Sequence, residues 1–434
     1  MGGEDPVGAM ANLHQLVKPE EGQVSRLIFT DPEIYQLELE RIFAKCWLYL
    51  AHETEIPNRG DFVTRSMGED PVIVVRGEDD EVRVLLNTCR HRGRSVCRED
   101  MGNADQFRCP YHGWTYGNTG KLIGIPAYKQ IYPQDLGMAQ LGLYEAPQVD
   151  SYRGLIFATW DDQAQSLSDY LGGMKWYLDL LVGRTDSGVE VIGPPQRWIV
   201  EANWKLGAGN FVGDAYHVYT THEYRVALGG LRVTSQGYQV HTDNGHGLGL
   251  THPDPDTPFE PYFALPKEFW PEFERNLTKG QLEVMRPLRN AHGTVFPNLS
   301  FLHPAAKRSK DDPVIAFFTL HQWQPKGPNK IEIWSWCLVE KKMTPEQKEA
   351  SRRHCIQNFG MAGTTEQDDM ETWADITQAS SGPKARRLDF HFGMGFNMEP
   401  VRNWPGPGVA YSTAWTEANE RALYQRWLDL MTTP

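Results

Sequence analysis

Two short stretches hold residues whose types and spacing suit metal chemistry, "CRHRG" at 89–93 and "CPYHGW" at 109–114. Each offers one cysteine and one histidine, and seventeen residues separate His91 from Cys109. Two thiolates and two imidazoles can hold a tetrahedral zinc ion. They can also hold a [2Fe–2S] cluster, with Cys89 and Cys109 on one iron and His91 and His112 on the other. Burial of all four for packing is the bland reading. Three features favour the cluster. Each loop donates one residue of each kind, so both loops must reach both irons. A glycine follows closely on each histidine (Gly93, Gly113) and permits a tight turn beside a metal centre. The surrounding sequence is β-rich and lacks a finger helix. A cluster with neutral His ligands has a higher potential than an all-Cys one and moves single electrons. Cys97, between the loops, reads as a small buried residue. Arg90, Arg92, Arg94, Arg98 and Arg108 surround the loops, either as structural hydrogen-bond donors or as a docking patch for an acidic redox partner.

A second constellation is "NFVGDAYHVYTTHEY" at 210–224. Asp214 and His217 stand at i and i+3, which shares a helix face. His217 and His222 stand at i and i+5, about 140° apart on an ideal helix. For both to bind one metal, the helix must end, bulge or unwind near Thr220–Thr221. Alone, this His pair is a weak metal signal. Far along the chain, "AGTTEQDDMETW" at 362–373 holds the adjacent Asp368 and Asp369, which in isolation read as a solvated pair.

Together these strings resemble the Rieske non-haem iron oxygenases, and in particular the large (α) subunits of aromatic-ring-hydroxylating dioxygenases of the naphthalene, biphenyl and polycyclic hydrocarbon type. "CxHRG…CPYHGW" resembles the Rieske motif. N-F-x2-D-x-Y-H-x4-H resembles the mononuclear iron site. "CWLYLAHETEIPNRGDF" at 46–62 and "WPGPG" at 404–408 extend the resemblance over nearly the whole chain. It implies a Rieske [2Fe–2S] cluster on Cys89, His91, Cys109 and His112, and a mononuclear Fe(II) on His217, His222 and Asp369. Two His and one carboxylate leave positions open for O2. It implies cis-dihydroxylation of an aromatic ring, with electrons relayed from NADH through a reductase and a ferredoxin. It implies a small β subunit and a trimer-based assembly, α3β3 or α3, in which the cluster of one subunit serves the iron of the next. Asp214 then matches the carboxylate between His217 and a cluster histidine, His112, of the neighbour. Asn210, Phe211, Val218 and Phe359 match pocket-lining positions. Thr365 stands where naphthalene-type enzymes carry a bulky aromatic, which implies a roomier pocket. No Arg or Lys in the matched segments stands ready for a substrate carboxylate. A Rieske monooxygenase or demethylase shares both metals, and an electron-transfer protein with a structural second site is the rival from another class.

The elements that must position these residues fall into two groups. Residues 31–46 read as a helix, with Asp31 as cap and Pro32 in the first turn. From Trp47 the pattern turns to strands, with a hairpin at 71–87 around "GEDDE" and an apolar strand at 153–160. A helical stretch at 166–181 marks the crossing to a second unit. There, 198–224 runs from a strand into a helix that begins near Asn203. The Pro- and acid-rich stretch 252–273 reads as a surface excursion. Runs in 292–340 read as successive antiparallel strands. Helices follow at 344–360, capped by Thr344, and at 416–431. The expected fold class is α+β: an all-β Rieske domain over 47–160 and an α+β catalytic domain over 161–434. The catalytic domain is expected to be a curved antiparallel sheet with helices, of helix-grip type, and residues 1–46 to pack on it.

Composition sets the outer limits. The chain has 434 residues, beyond one ordinary core. Its net charge of −13 disfavours nucleic acid and anionic membranes as partners. No run approaches the ~18 apolar residues of a membrane span. "MGGEDPVGAM" lacks signal-peptide features, and Pro6 argues against myristoylation. These readings point to a cytoplasmic protein. Six scattered cysteines do not make a disulfide framework.

Overall fold

The computed structural model describes residues 13–132, 136–231, 233–254, 258–307 and 309–433. Residues 1–12, and 255–257 within the 252–273 stretch, lie outside these. The chain divides into two compact units, Phe43–Leu167 and the combination of Met1–Ile42 with Ser168–Pro434. No helix among the described residues is long and apolar enough to cross a membrane.

The smaller unit is built of antiparallel strands. Asp70–Arg76 and Val82–Leu86 form the hairpin, closed by a turn with Asp80 at φ +72°. Asp61–Met67 and Met101–Asn103 complete that four-stranded sheet. Val72 to Val75 are completely buried, as a continuous β-branched run demands. A second sheet joins Leu48–His52, Leu155–Thr159 and Gln148–Tyr152. A third, of Gln106–Arg108, Thr115–Gly117 and Leu122–Gly124, is small and carries one of the two cysteine loops at its turn. Ile73, Val75, Leu85, Phe107, Trp114 and Tyr116 form a core that also takes in Cys89, Cys97 and Cys109.

The larger unit centres on a ten-stranded antiparallel sheet. Its middle strands are Ile331–Glu340, Phe318–Pro325, Leu299–Ala306, Asn290–Val295 and Gly247–Thr251, paired in that order. The helix Trp204–Gly213 begins at Asn203, whose side chain accepts from the Lys205 N–H. Its glycines let it lie close to the sheet. A Cβ on Gly207 would come within 2.7 Å of the Trp323 ring, and Thr294 donates to the Ala208 carbonyl at 2.8 Å. The N-terminal helix Pro32–Glu38, capped by Asp31, is tied to the same place. The fully buried Glu38 carboxylate accepts from Lys205, from Trp204 Nε1 at 2.8 Å and from Trp427 Nε1 at 2.7 Å. Loss of Glu38 would leave the Lys205 ammonium buried and unpaired, which costs about 3–5 kcal/mol.

Several elements differ from the sequence expectation. The first helix passes into a π-turn at Leu39–Phe43. The stretch 166–181 is two helices, Leu167–Leu171 and Met174–Val182, broken at Gly172 with φ +48°. The described part of 252–273 is not all surface: Tyr262, Phe263, Phe269 and Phe273 are buried, and Trp270–Asn276 is helical. Aromatic residues interleaved with the prolines anchor this segment.

Candidate functional site

The two cysteine loops share one hydrogen-bond pattern. Cys89 N–H donates to Arg94 O at 2.9 Å and Gly93 N–H to Cys89 O at 2.8 Å. Cys109 N–H donates to Trp114 O at 2.8 Å and Gly113 N–H to Cys109 O at 3.0 Å. Gly93 and Gly113 have φ +73° and +74°, a left-handed conformation that suits glycine. Each loop therefore presents its Cys and His from an equivalent turn. The loops meet: the His91 and His112 ring centroids are 4.7 Å apart, and His91 stacks on Trp114 at 5.0 Å. Burial and then the neighbouring Cys89 push the Cys109 thiol upward from its ordinary range. The Tyr116 hydroxyl lies 3.4 Å from the Cys89 sulfur and accepts from Arg90 N–H at 3.0 Å. The Nδ1 atoms of His91 and His112 are buried without a hydrogen-bond partner. Two adjoining thiols and two orphaned ring nitrogens on facing loops fit a two-iron cluster and leave unexplained polar atoms under a packing role. Cys97 is 5% exposed, and burial pushes its thiol up to about 11. The five arginines around the loops are exposed.

In the larger unit the helix carrying Asn210 and Phe211 stops at Gly213, earlier than the sequence suggests. Asp214 ends it: its Oδ1 accepts from the N–H of Tyr216 at 3.0 Å and of His217 at 3.1 Å. His217 opens a 3-10 turn, His217–Tyr219, and His222 sits just before the helix Glu223–Ala227. Asp214 and His217 thus share a turn and not the expected helix face. The unwinding brings the rings of His217 and His222 to 5.1 Å. The long helix Thr364–Ser380 delivers Asp369, which is 4% exposed.

One ligand atom from each of His217, His222 and Asp369 lies within 4.8 Å of the others. Asp369 Oδ1 is 3.5 Å from His217 Nε2 and 3.2 Å from His222 Nε2. The opposite ring nitrogens are held by carboxylates. Asp214 Oδ2 lies 3.3 Å from His217 Nδ1, and Asp368 Oδ2 lies 3.2 Å from His222 Nδ1. A carboxylate behind each imidazole fixes the ring and turns Nε2 toward the metal side. Burial opposes charge on Asp214 and His217. Their mutual attraction outweighs it and draws the Asp214 carboxyl down to about 2 and the His217 imidazole up to about 9. A metal cation on Nε2 would take the place of that second proton. Two imidazoles and one carboxylate fit iron(II) with open positions.

A cavity of about 140 Å³ reaches this cluster. All five residues named from the sequence line it: Asn210, Phe211, Val218, Phe359 and Thr365. Leu231, Leu302, Ala305 and Phe317 add apolar wall. Sequence reasoning missed Arg289 and His292, which line the cavity from the sheet. Burial pushes the His292 imidazole down to about 4, so it is neutral at neutral pH. It also missed Asp368 as the partner of His222. Adjacent aspartates were visible, but which faces the histidine depends on helix rotation. Nothing in local spacing marks Arg289 or His292, because sheet register puts them there. Glu366, one turn before Asp369, and His321, on the strand Phe318–Pro325, are both fully buried with 3.2 Å between Oε2 and Nε2, and their pairing was equally invisible.

Comparisons with known proteins divide the chain in a related way. Residues 46–148 match the Rieske [2Fe-2S] domain family, and residues 167–433 match the catalytic domain of the ring hydroxylating alpha subunit family. The chain is 39% identical to the biphenyl 2,3-dioxygenase subunit alpha of Rhodococcus jostii (strain RHA1), over 100% of this chain and 94% of that one. It is 36% identical to the benzene 1,2-dioxygenase subunit alpha of Pseudomonas putida, over 98% and 94%. The solved structure of naphthalene 1,2-dioxygenase from Rhodococcus sp. bound to indole superposes with a TM-score of 0.94 at 45% identity, covering 98% of each chain.

Proposed function

The chain belongs to the Rieske non-haem iron ring-hydroxylating dioxygenases as an α subunit, and on that premise we propose how its residues divide the work and what it acts on. It is a terminal oxygenase subunit that dihydroxylates an aromatic ring with O2. When bound, the [2Fe–2S] cluster supplies single electrons and the mononuclear iron supplies open positions for dioxygen. Cys89, His91, Cys109 and His112 are assigned to the cluster. His217, His222 and Asp369 are assigned to the iron. Asp214 and Asp368 orient the two iron histidines. Asp214 is also the group to which electrons from the His112 side of a neighbouring subunit would come in a trimer. A ferredoxin, an NADH-dependent reductase and a small β subunit are the proposed partners.

The proposed substrate is a two-ring or larger aromatic hydrocarbon. The carrying observation is the apolar cavity that ends on the three converging ligand atoms. Phe211, Phe317 and Phe359 exclude water from its wall and orient a flat ring. Thr365 leaves space where a bulkier side chain would narrow it. The test is turnover on a panel of aromatic acids and hydrocarbons with a surrogate ferredoxin and reductase. The wild type is expected to give cis-dihydrodiols from two-ring hydrocarbons and little from acids. Thr365→Trp is expected to lower kcat/KM for substrates of three or more rings about tenfold while sparing two-ring ones. A preference for acids, or singly hydroxylated or demethylated products, would overturn this reading.

A further inference from the structure

A second cavity, of about 290 Å³, shares Asn210, Asp214, His217 and Asp369 with the apolar one but is otherwise walled by different elements. It is roomy enough for several water molecules, and ionisable side chains are set into a mostly apolar wall. The exposed His391 and the half-buried Glu417 stand along it, and Thr372, Tyr424 and Glu420 line it. Glu420 is 4% exposed, and its Oε2 is buried with no hydrogen-bond partner. A buried carboxylate oxygen without a donor, on the wall of a cavity large enough for water, asks for a function.

Dihydroxylation consumes protons. An arene, O2, two electrons and two protons become one cis-dihydrodiol: one ring π bond and the O–O bond break, and two C–O and two O–H bonds form. The electrons come from reduced ferredoxin through the cluster. Both cavities are lined by Asp214 and Asp369, but only the second adds further carboxyl groups for the protons, Glu417 and Glu420. We propose that this cavity is the proton path to the iron site and that Glu420 is the side chain that holds the proton. The inference rests on the dihydroxylation reading.

The surroundings of Glu420 suit that task. Burial raises its carboxyl well above the ordinary range; the Asp214 and Glu417 charges add to this, while its own backbone N–H and Arg421 oppose it. Tyr424, Lys205 and His217 line the same cavity, and Lys205 is engaged by Glu38. Glu420 lies in the first turn of the helix Ala418–Thr432, where an ionised carboxylate is ordinarily favoured. A neutral acid there, reached by water, is a proton store and not a cap.

The test uses the full chain with its partners and the variants Glu420→Gln and Glu420→Asp. Infrared difference titration of iron-free protein is expected to show a protonated-carboxyl C=O band at neutral pH that Glu420→Gln lacks and Glu420→Asp keeps, shifted. In iron-loaded, reduced enzyme, Glu420→Gln is expected to slow single-turnover diol formation about tenfold or more, with an altered solvent deuterium isotope effect and unchanged KM. Glu420→Asp is expected to restore most of the rate. An unchanged infrared spectrum, or iron-loaded Glu420→Gln with wild-type rate and isotope effect, would overturn the proposal. Wild-type enzyme that makes no diol would instead overturn the functional reading, with the infrared result still deciding the state of Glu420.

Discussion

The cysteine loops and the His–His–Asp cluster bring metal-binding types of side chain together in opposite ways. The loops are near-copies that lie close in sequence, each closed by its own backbone hydrogen bonds and a left-handed glycine. The cluster takes two histidines from a broken helix and its third residue from a helix far along the chain, with a carboxylate behind each histidine. The loops need only local turn chemistry to form. The cluster needs the whole larger unit in place. One arrangement suits a centre that gains and loses electrons without rearranging. The other suits a centre with free positions beside an adjustable cavity.

The largest effects should separate the two centres. Wild-type protein should hold about three irons per chain, two in the cluster and one mononuclear. Asp369→Ala should lose the mononuclear iron and all turnover while keeping the cluster's visible spectrum and acid-labile sulfide. Cys109→Ser should do the reverse, losing sulfide and turnover while retaining one iron. Metal and sulfide analysis reads both, and joint loss of the two centres in either variant would contradict their independence.

A smaller effect tests the carboxylate behind the histidine. Asp368→Asn keeps size and removes charge at 3.2 Å from His222 Nδ1. It should weaken iron binding or turnover by about 10–100-fold. Iron titration of the apoprotein checks this, and wild-type affinity and rate would assign Asp368 to the surface.

The smallest effects fall on the loops. Gly93→Ala should cost about 1–2 kcal/mol from backbone conformation alone, since its Cβ would meet only Thr88 Cγ2 at 4.0 Å. Gly113→Ala should cost more, because its Cβ would come within 2.9 Å of Pro126 Cγ. Denaturation midpoints and cluster retention rank the pair, and the reverse order would show that the loops are not held alike.

The same contrast explains what could be read from the sequence. The loops and their Cys and His residues stood out from residue type and short spacing, which left zinc and a two-iron cluster both open; the cluster assignment came from resemblance. The hairpin, the 292–340 strands and the helix capped by Thr344 were legible from apolar pattern and capping. In the cluster, His217, His222 and Asp369 were reached through resemblance, not through spacing. The helix end at Gly213 was misplaced because Asp214 reads as a helix-face residue until its side chain is seen capping Tyr216 and His217. Arg289, His292 and Glu420 were not legible at all. Their roles come from sheet register and from burial, which a single sequence does not display.

In the proposed division of work, the cysteine loops feed electrons to a second centre where one O2 adds both of its atoms to a ring. Turnover of a two-ring hydrocarbon under a mixture of light and heavy dioxygen tests it most directly. Mass spectrometry is expected to find diols with two light or two heavy oxygens. Products carrying one of each, or a single oxygen from O2, would contradict it.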